Sequence, residues 1–261
     1  MKKVFITGIS KGIGRSIAEK LVKQSDFTIV GSCRNPETVT NKIDGVEYLA
    51  LDLSKSESIQ ACAEKLQDID IIINNAGQSQ IGALEDISMD KMRGMYEINL
   101  FGNIELLQAV IGQMRIKKSG LIINIGSMTG SFALPLYSSY CASKAAFQML
   151  SLCLRQELHQ FGIKVAHVEP NDIKTTITPD LIYKTGGAYE KLAITVREQV
   201  RIKMAKAQEP EIVANLIDKI IKSKEPKARY TVGGNGPFLV FLKRFVTDRF
   251  IEKSTMKLYG L

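Results

Sequence analysis

The chain has 261 residues, of which 45 % are hydrophobic and 24 % are charged, and this composition suits one well-filled globular core. Its 35 Lys and Arg outnumber its 27 Asp and Glu, but no nucleic-acid reading motif accompanies the basic residues, so we expect no nucleic-acid partner. The four cysteines lack zinc or disulfide spacing, and no apolar stretch reaches the ~18 residues of a membrane span. We therefore expect no metal site and a reducing, cytoplasmic location.

Short apolar runs alternate with longer amphipathic stretches, which is typical of strands that alternate with helices. The strands are nearly unbroken apolar runs, as in a parallel sheet covered on both faces, and they are predicted at Lys3–Thr7, Phe27–Gly31, Val46–Leu51, Ile69–Asn74, Gly120–Gly126, Lys164–Val168 and Arg229–Val232. The helices are predicted at Gly12–Lys23, Lys55–Gln67, Met89–Met114, Tyr137–Phe161 and Glu211–Ser223. We therefore predict an α/β fold: a single Rossmann-type domain over residues 1–261, with a doubly wound parallel sheet of about seven strands.

Two segments lie outside this alternation. Residues 175–209 are long for a plain crossover, and because long segments in compact domains tend to be functional we predict a substrate lid there. Residues 236–261 form a basic, amphipathic C-terminal extension, with apolar residues at helical spacing at Phe238, Phe241, Leu242 and Phe245. This apolar stripe suits packing on the core or closing the substrate pocket, a subunit interface, or a peripheral contact with a membrane surface, and the sequence does not choose between them.

A glycine-rich loop follows the first strand and leads directly into the first helix. Its glycines allow a tight turn and a close approach of the backbone to a ligand, and the N–H groups and dipole of the helix favour a pyrophosphate. We predict that a dinucleotide binds here through Gly8, Ser10, Lys11, Gly12, Ile13 and Gly14. The spacing Gly8-Ile9-Ser10-Lys11-Gly12 also fits the nucleophile elbow of an α/β hydrolase. That elbow comes after several strands of the sheet, whereas this loop follows the first strand, so the hydrolase is the weaker alternative.

The second strand leads to Arg34, at a place where the dinucleotide fingerprint has an acidic residue for the ribose 2′-hydroxyl. A carboxylate would repel a 2′-phosphate, whereas a guanidinium clamps one and a nearby ammonium adds to the attraction. Arg34 and Lys11 therefore favour NADP(H) over NAD(H). The alternative is that both are solvated surface cations.

Tyr140 and Lys144 are four residues apart in a helical pattern, so they share one helix face. A phenol has a reference pKa of about 10, and a neighbouring ammonium favours the phenolate and moves that pKa toward the working range of an acid or base. The preceding strand leads to Ser127, which places a hydroxyl at the ligand-binding edge of the predicted sheet. Upstream, Asn74-Asn75-Ala76-Gly77 ends the fourth strand, and Asn99 lies in the helix that follows.

These motifs, in this order and spacing, resemble those of a classical short-chain dehydrogenase/reductase. The similarity runs from the T-G-x-x-x-G-x-G loop at Thr7–Gly14 through Asn74–Gly77 and Ser127 to Tyr140-x-x-x-Lys144, and it covers nearly the whole chain. The stretches 134–140 and 226–233 are similar to the hydroxysteroid and retinol dehydrogenase branch. The resemblance implies hydride transfer between NADP(H) and a carbonyl or alcohol of a bulky, apolar small molecule (steroid-, retinoid- or lipid-like), performed by a homodimer or homotetramer.

The resemblance also implies a role for each catalytic residue. Tyr140 would give a proton to the carbonyl oxygen during reduction, and Ser127 would hold that oxygen by a hydrogen bond. Lys144 would lower the pKa of Tyr140 and bind the nicotinamide ribose, and Asn99 would hold a water in a proton relay. Asn99 could instead be a buried structural amide.

The same resemblance implies further cofactor contacts: Asp52 and Leu53 with the adenine, Asn75, Ala76 and Gly77 with the adenosine ribose side, and Pro170, Ile173 and Thr175 near the nicotinamide amide. Asp52 could instead begin the next helix. The chain departs from the family pattern at Asn171, where a glycine is usual. Because Asn tolerates positive φ, we expect the turn to survive with Asn171 in that conformation.

A second functional class is a non-catalytic NADP-binding sensor or scaffold, since this fold can keep its cofactor and lose its chemistry. Such a protein has no need of Asn99, Ser127, Tyr140 and Lys144 together, and all four are present. The sequence therefore favours the oxidoreductase.

Overall fold

The computed structural model describes residues 1–174 and 179–261. Its strands are β1 (Lys2–Thr7), β2 (Phe27–Cys33), β3 (Val46–Ala50), β4 (Ile71–Asn74), β5 (Gln80–Gly82), β6 (Gly120–Ile125), β7 (Ile163–Pro170), β8 (Asp180–Ile182) and β9 (Arg229–Val232). Within the described residues, seven of them form one parallel sheet in the order β3-β2-β1-β4-β6-β7-β9. The predicted doubly wound sheet is therefore confirmed, with each strand within a few residues of its predicted bounds.

The helices cover both faces of this sheet, as the unbroken apolar strands require. They are α1 (Gly12–Leu21), α2 (Ser56–Ala63), α3 (Met89–Tyr96), α4 (Gly102–Lys117), α5 (Ser138–Glu157), α6 (Glu190–Ala205), α7 (Glu211–Lys222), α8 (Gly236–Leu242) and α9 (Asp248–Leu258). Helices α1 and α7 share a core with one face of the strands, and α2 and α4 share a second core with the other face. Alternate strand residues therefore point into different cores, as Val4 and Phe5 do in β1.

One predicted helix contains an irregular turn. The sequence pattern over Met89–Met114 predicts a single helix, and the structure is helical throughout this range but consists of α3, a π-helical turn at Glu97–Phe101 and α4. The Asn103 side-chain amide donates to the Ile98 carbonyl at 2.9 Å, inside the irregular turn. The helix continues through this turn, so the sequence pattern predicts the helix but not the π-helical turn within it.

The sequence also misses a short two-stranded sheet. Strands β5 and β8 pair in parallel, from Gln80 opposite Asp180 to Gly82 opposite Ile182. Three residues are too short for an alternation pattern to be recognised. The pair fixes the segment after β4 to the beginning of the predicted lid, of which residues 175–178 lie outside the described residues.

The chain order of the sheet creates a crevice next to β1. From β1 the chain builds outward through β2 to β3, returns to β4 on the other side of β1, and then builds in the opposite direction. The loops after β1 and β4 therefore diverge at the carboxyl edge of the sheet, where ligands bind in doubly wound folds. No helix among the described residues is both long enough and apolar enough to span a bilayer.

Candidate active site

A compact set of hydrogen bonds joins the ends of β1 and β4 below the glycine-rich loop. The Thr7 hydroxyl accepts from the backbone N–H groups of Asn75 and Ala76, both at 2.9 Å. The Asn75 side-chain amide donates to the Thr7 carbonyl at 2.9 Å and to the Gly8 carbonyl at 3.3 Å. One threonine and one asparagine thus hold the two loops at a fixed separation.

Backbone conformation and close packing favour glycine at three positions of this loop. Gly8 and Gly12 have positive φ of 74° and 61°, which favours glycine. A Cβ on Gly14 would lie 2.4 Å from both the Asn75 amide nitrogen and the Gly8 carbonyl oxygen. This close-packed turn at the N-terminus of α1 is a cradle that fits the phosphates of a dinucleotide.

Arg34 and Asp52 border the far end of the same cavity. Partial burial raises the pKa of Asp52, but hydrogen bonds from Ser54 and the positive charges of Lys55 and Arg34 outweigh that effect and keep the pKa below its usual value. Asp52 Oδ1 accepts from the Ser54 N–H at 3.0 Å and from its hydroxyl at 2.7 Å. The carboxylate therefore shapes the turn before α2, which begins at Ser56.

A cavity of about 1080 Å³ joins the glycine loop to the C-terminal helices. Most of the predicted site residues line it, namely Gly8, Ser10, Lys11, Gly12, Ile13, Arg34, Asp52, Leu53, Asn75, Ala76, Gly77, Ser127, Tyr140, Lys144, Pro170 and Ile173. Gly14 and Asn99 lie behind this lining, and Thr175 lies outside the described residues. The structure thus brings the two predicted halves of the site together in one cavity.

Ser127 and Tyr140 form the polar centre of the cavity wall. Ser127 Oγ accepts from the Thr129 N–H at 3.2 Å and from the Thr129 hydroxyl at 2.9 Å, which leaves its own proton to donate. Burial raises the pKa of the Tyr140 phenol, and hydrogen bonds with Ser127 and Thr129 offset only part of that rise. Tyr140 is therefore protonated at neutral pH, which is the form that acts as an acid.

Lys144 lies one helical turn after Tyr140 in α5, with its ammonium 5.9 Å from the centroid of the tyrosine ring. Only 5 % of the lysine is exposed, and burial lowers its pKa to about 8. Burial thus shifts the two pKa values in opposite directions, up at Tyr140 and down at Lys144. The expected lowering of the Tyr140 pKa by Lys144 stays a prediction.

Asn99 is almost fully buried in the π-helical turn, and its hydrogen bonds lie within the protein. Its Oδ1 accepts from the Gln78 N–H at 2.8 Å, while its Nδ2 donates to the Gln78 carbonyl at 3.0 Å and to Ser143 Oγ at 3.2 Å. A Cβ on Gly77 would lie 3.1 Å from Asn99 Oδ1 and 3.3 Å from Lys144 Nζ, so all three groups meet at one point. Asn99 thus fixes the backbone segment that borders Lys144.

The turn after β7 corrects one expectation. Asn171 was expected at positive φ, but Asp172 takes that conformation, with φ of 46°. Asn171 remains tied to β9, since its N–H donates to the Val232 carbonyl at 2.8 Å. The strained position is therefore displaced by one residue, and Asp172 lines the cavity beside Ile173.

The sequence reading missed a buried ion pair at the end of β7. Glu169 is fully buried, and its Oε1 accepts from Arg229 Nη2 at 2.7 Å and from Nε at 3.1 Å. Arg229 also donates to Ser131 Oγ at 2.8 Å, and the Thr231 hydroxyl donates to Glu169 Oε2 at 3.2 Å. A glutamate near the end of a largely buried strand is the signal that indicates such a partner.

The α/β-hydrolase interpretation finds no support in the geometry. His167 is buried in β7, where Nδ1 lies 3.1 Å from Ser151 Oγ, and burial lowers its pKa to about 3. Among the described residues, no histidine lines the cavity that contains Ser10. Ser10 therefore lacks the base that a nucleophilic serine requires.

Comparison with known proteins points to one family. A family model described as short chain dehydrogenase matches residues 2–184. The 3-ketodihydrosphingosine reductase of Bacteroides thetaiotaomicron is 32 % identical in an alignment of length 238, which covers 88 % of this chain and 87 % of that protein. The mouse (Mus musculus) 17-beta-hydroxysteroid dehydrogenase type 1 is 28 % identical in a gapped alignment of length 279, which covers 97 % of this chain and 76 % of that protein.

A solved structure agrees with these matches. The crystal structure of a short-chain dehydrogenase from Streptomyces avermitilis has a TM-score of 0.83 to this chain at 29 % identity, with 98 % of this chain and 97 % of that one covered. The family binds a nicotinamide cofactor and small-molecule substrates, which accords with the phosphate cradle and the adjoining cavity. From its sequence match and its sheet, the chain belongs to the short-chain dehydrogenase family of oxidoreductases.

Proposed function

We propose that this protein is an NADPH-dependent reductase that converts a carbonyl of a bulky, apolar molecule to an alcohol. The observation that carries the proposal is the cluster of Ser127, Tyr140 and Lys144 on the wall of one cavity, between the phosphate cradle and an apolar chamber. Two hydroxyls that can donate protons and one ammonium suit a reaction in which a carbonyl oxygen gains negative charge.

Each of the three side chains has a distinct part. Ser127, whose oxygen already accepts from Thr129, donates to the substrate oxygen and holds it. Tyr140 gives its proton to that oxygen as the charge develops, and Lys144 stabilises the phenolate that remains. The nicotinamide, when bound, supplies the hydride to the carbonyl carbon. Asn99 acts by fixing Gln78 beside Lys144, and a water on its carbonyl oxygen would complete the proposed proton relay.

The cofactor preference rests on charge. Arg34 borders the cavity close enough to Asp52 to lower the pKa of that carboxyl, and Lys11 borders the cavity at the start of α1. An arginine can hold a 2′-phosphate by paired, charge-assisted hydrogen bonds. The proposed cofactor is therefore NADP(H), with Asp52 and Leu53 at the adenine and Pro170, Ile173 and Thr175 at the nicotinamide end.

The substrate class rests on the lining of the other half of the cavity. Apolar side chains predominate there, including Met128, Phe132, Leu134, Leu239, Leu242 and Val246. The two curated relatives are by name a reductase of a keto-sphingolipid base and a hydroxysteroid dehydrogenase. A lipid- or steroid-like ketone fits this lining, because apolar walls bury most of the surface of such a ligand.

The quaternary and domain arrangement follows the same proposal. Residues 1–261 form one domain, in which 175–209 act as the substrate lid, with α6 as its largest part. A homodimer or homotetramer would cover the exposed apolar residues of α4 and α5, such as Ile116 and Met149.

The experiment has a binding step and a turnover step. Because the chain contains no tryptophan, binding is followed by the fluorescence of NADPH and NADH themselves. Arg34→Asp should lose the preference for NADPH, by about tenfold or more. NADPH oxidation is then measured with short ketones, steroid ketones, retinal and long-chain keto lipids.

Tyr140→Phe separates the enzyme from a sensor. We expect it to bind NADPH as the wild type does and to lower turnover by about 10²- to 10⁴-fold. If the wild type binds NADPH and reduces no carbonyl in the panel, the sensor hypothesis replaces the reductase. If neither nucleotide binds, the cofactor site is refuted as well.

A further inference from the structure

The C-terminal extension carries a cluster of exposed aromatic side chains. Phe238 is 63 % exposed, Phe241 56 %, Phe245 72 % and Phe250 57 %. The rings of Phe241 and Phe245 lie 5.3 Å apart, so two of the exposed phenyls already contact each other. We call these four residues the aromatic patch. Clustered apolar exposure of this kind marks an interaction surface rather than ordinary surface composition.

Most of the aromatic patch lies on the opposite side of the segment from the residues that pack against the rest of the protein. Phe238, Phe241 and Phe245 repeat at helical spacing on the outer side of the segment, whereas Leu242 and Val246 line the cavity on the inner side. The second helix, α9, is anchored by Tyr259, which is only 2 % exposed. The inner side of the segment is thus already in use, and Phe238, Phe241 and Phe245 form a second, outward apolar face, while Phe250 is exposed and also borders the cavity.

Exposed basic residues alternate with these phenylalanines along the segment. Arg244, Arg249, Lys253 and Lys257 are exposed, and the described residues place none of them in a salt bridge; the acidic residues of the segment are Asp248 and Glu252. Lys243 differs, because it turns inward to donate to the Ser131 carbonyl and lies over the Phe132 ring. An apolar face rimmed by lysine and arginine matches the headgroup region of an anionic bilayer, where the rings insert and the cations meet phosphates.

The same charges disfavour a second copy of this chain as the occupant. In a symmetric dimer the patch would face itself, so each cationic rim would oppose another cationic rim. We propose that the aromatic patch is a docking surface for membranes that contain anionic lipids. The protein lies on such a membrane through α8 and α9 and does not cross it.

Docking would also place the cavity next to the bilayer. Phe250 belongs both to the patch and to the cavity lining, and Leu239 and Leu242 lie in the same helix as Phe238 and Phe241. A ketone dissolved in the membrane could then enter the apolar chamber without passing through water. This second step rests on the proposed function, whereas docking itself does not.

The test is flotation of the full-length protein with vesicles of phosphatidylcholine, with and without phosphatidylglycerol. Wild type should float with the anionic vesicles, and added salt should weaken its binding because screening reduces the attraction to the headgroups. Phe241→Ser combined with Phe245→Ser should reduce binding to anionic vesicles by about tenfold or more. Arg249→Glu combined with Lys253→Glu should reduce the same binding by about fivefold or more for each cation removed. None of these four residues lines the cavity.

Matched controls keep the result specific. Lys219→Glu combined with Lys227→Glu changes the net charge as much as the Arg249 and Lys253 double variant does, but on exposed residues outside the patch. Ile116→Ser removes an exposed apolar side chain from α4. Both controls should float as wild type does. Wild type that stays unbound to anionic vesicles overturns the proposal. The proposal is also overturned if the double phenylalanine variant floats as wild type does. It is overturned, in favour of a subunit interface, if wild type does not bind vesicles and the phenylalanine variant has a lower oligomeric state in ultracentrifugation.

A soluble short ketone separates the two proposals. The patch variants should reduce it as fast as wild type, since the catalytic side chains are untouched, and they should lose activity only on a ketone supplied in vesicles. Flotation without any ketone reduction would leave docking intact and refute the reductase. Reduction of vesicle-borne ketone at an equal rate by patch variants would refute delivery through the docked face.

Discussion

The two ends of the cavity differ in the groups that form their walls. We call the end at the glycine loop the cofactor half and the end at α8 and α9 the substrate half, after the ligands proposed for them. In the cofactor half the wall is shaped mainly by the backbone: Gly8 and Gly12 adopt positive φ, and Thr7 and Asn75 bind the backbone of the facing loops. In the substrate half, side chains of α8, α9 and the loop after β6 form the wall. Phosphates require N–H groups at fixed positions, whereas an apolar molecule requires only a suitable shape. The cofactor half should therefore be the less tolerant of substitution.

Glu169→Ala should have the largest effect on stability. It removes the carboxylate that pairs with Arg229 and accepts from Thr231, and it leaves a partly buried arginine without its partner. Because Arg229 retains some access to water, we expect a loss of about 3 kcal/mol in the free energy of unfolding. Urea denaturation measures it. Glu198→Ala, which breaks an exposed pair with Arg201, is the control and should leave the midpoint unchanged.

The Glu169→Ala variant also tests whether the substrate half can be disturbed without disturbing the cofactor half. Glu169 ties β7 to Ser131, in the loop that borders the substrate chamber, and not to the phosphate cradle. At temperatures where the variant is still folded, NADPH should bind with nearly wild-type affinity while ketone turnover falls. Equal losses of both would contradict the division into two independently built halves.

Gly14→Ala tests the cofactor half directly. The new Cβ would lie 2.4 Å from the Asn75 amide nitrogen and the Gly8 carbonyl, so the cradle would have to open. We expect a loss of about 2 kcal/mol in stability and weaker NADPH binding. Gly112→Ala is the matched control, because a Cβ there meets no atom within 4 Å and lies inside α4. It should stabilise the protein by up to about 1 kcal/mol; a similar loss in both variants would refute the close-packed cradle.

The difference between the halves also explains how far the sequence could be interpreted. The glycine loop, Asn75, Ser127 and the Tyr140–Lys144 pair were predictable, because each needs a particular residue at a particular backbone position. The π-helical turn at residues 97–101 was not, since Asn103 and Asn99 act through hydrogen bonds that apolar periodicity does not encode. Strands β5 and β8 were too short to show a pattern.

The burial of Tyr140 and Lys144, the proposed catalytic side chains, could not be predicted from the sequence either. Spacing placed Tyr140 and Lys144 on one helix face, but the direction of their pKa shifts depends on how much water surrounds them. The displacement of positive φ from Asn171 to Asp172 is of the same kind, because it depends on how β9 holds Asn171. Contacts between distant segments decide both.

A smaller effect is expected at the junction of the two halves, from the titration of Lys144. Burial lowers the pKa of Lys144 to about 8 in the folded protein, from 10.5 in the unfolded chain. Between pH ~8 and pH ~10.5 the unfolded chain therefore binds more protons than the folded protein, so the free energy of unfolding rises with pH. From pH ~7 to pH ~9 the free energy of unfolding of the cofactor-free protein should rise by about 1 kcal/mol relative to Lys144→Met. Lys219→Met controls for the loss of one positive charge. Parallel curves for wild type and Lys144→Met would contradict the buried ammonium.

The smallest effect is expected in the substrate half, at Tyr259. Its ring is buried under the Lys203 ammonium at 5.2 Å, and within the described part of the chain its hydroxyl receives only a long hydrogen bond of 3.5 Å, from that lysine. Tyr259→Phe keeps the ring and its packing, so stability should change by about 0.5 kcal/mol or less. Thr7→Val, the comparable loss of a hydroxyl in the cofactor half, deprives two backbone N–H groups of their acceptor and should cost about 2 kcal/mol. Side-by-side urea denaturation measures the difference, and equal losses would mean that the substrate half is held as rigidly by its polar contacts as the cradle is.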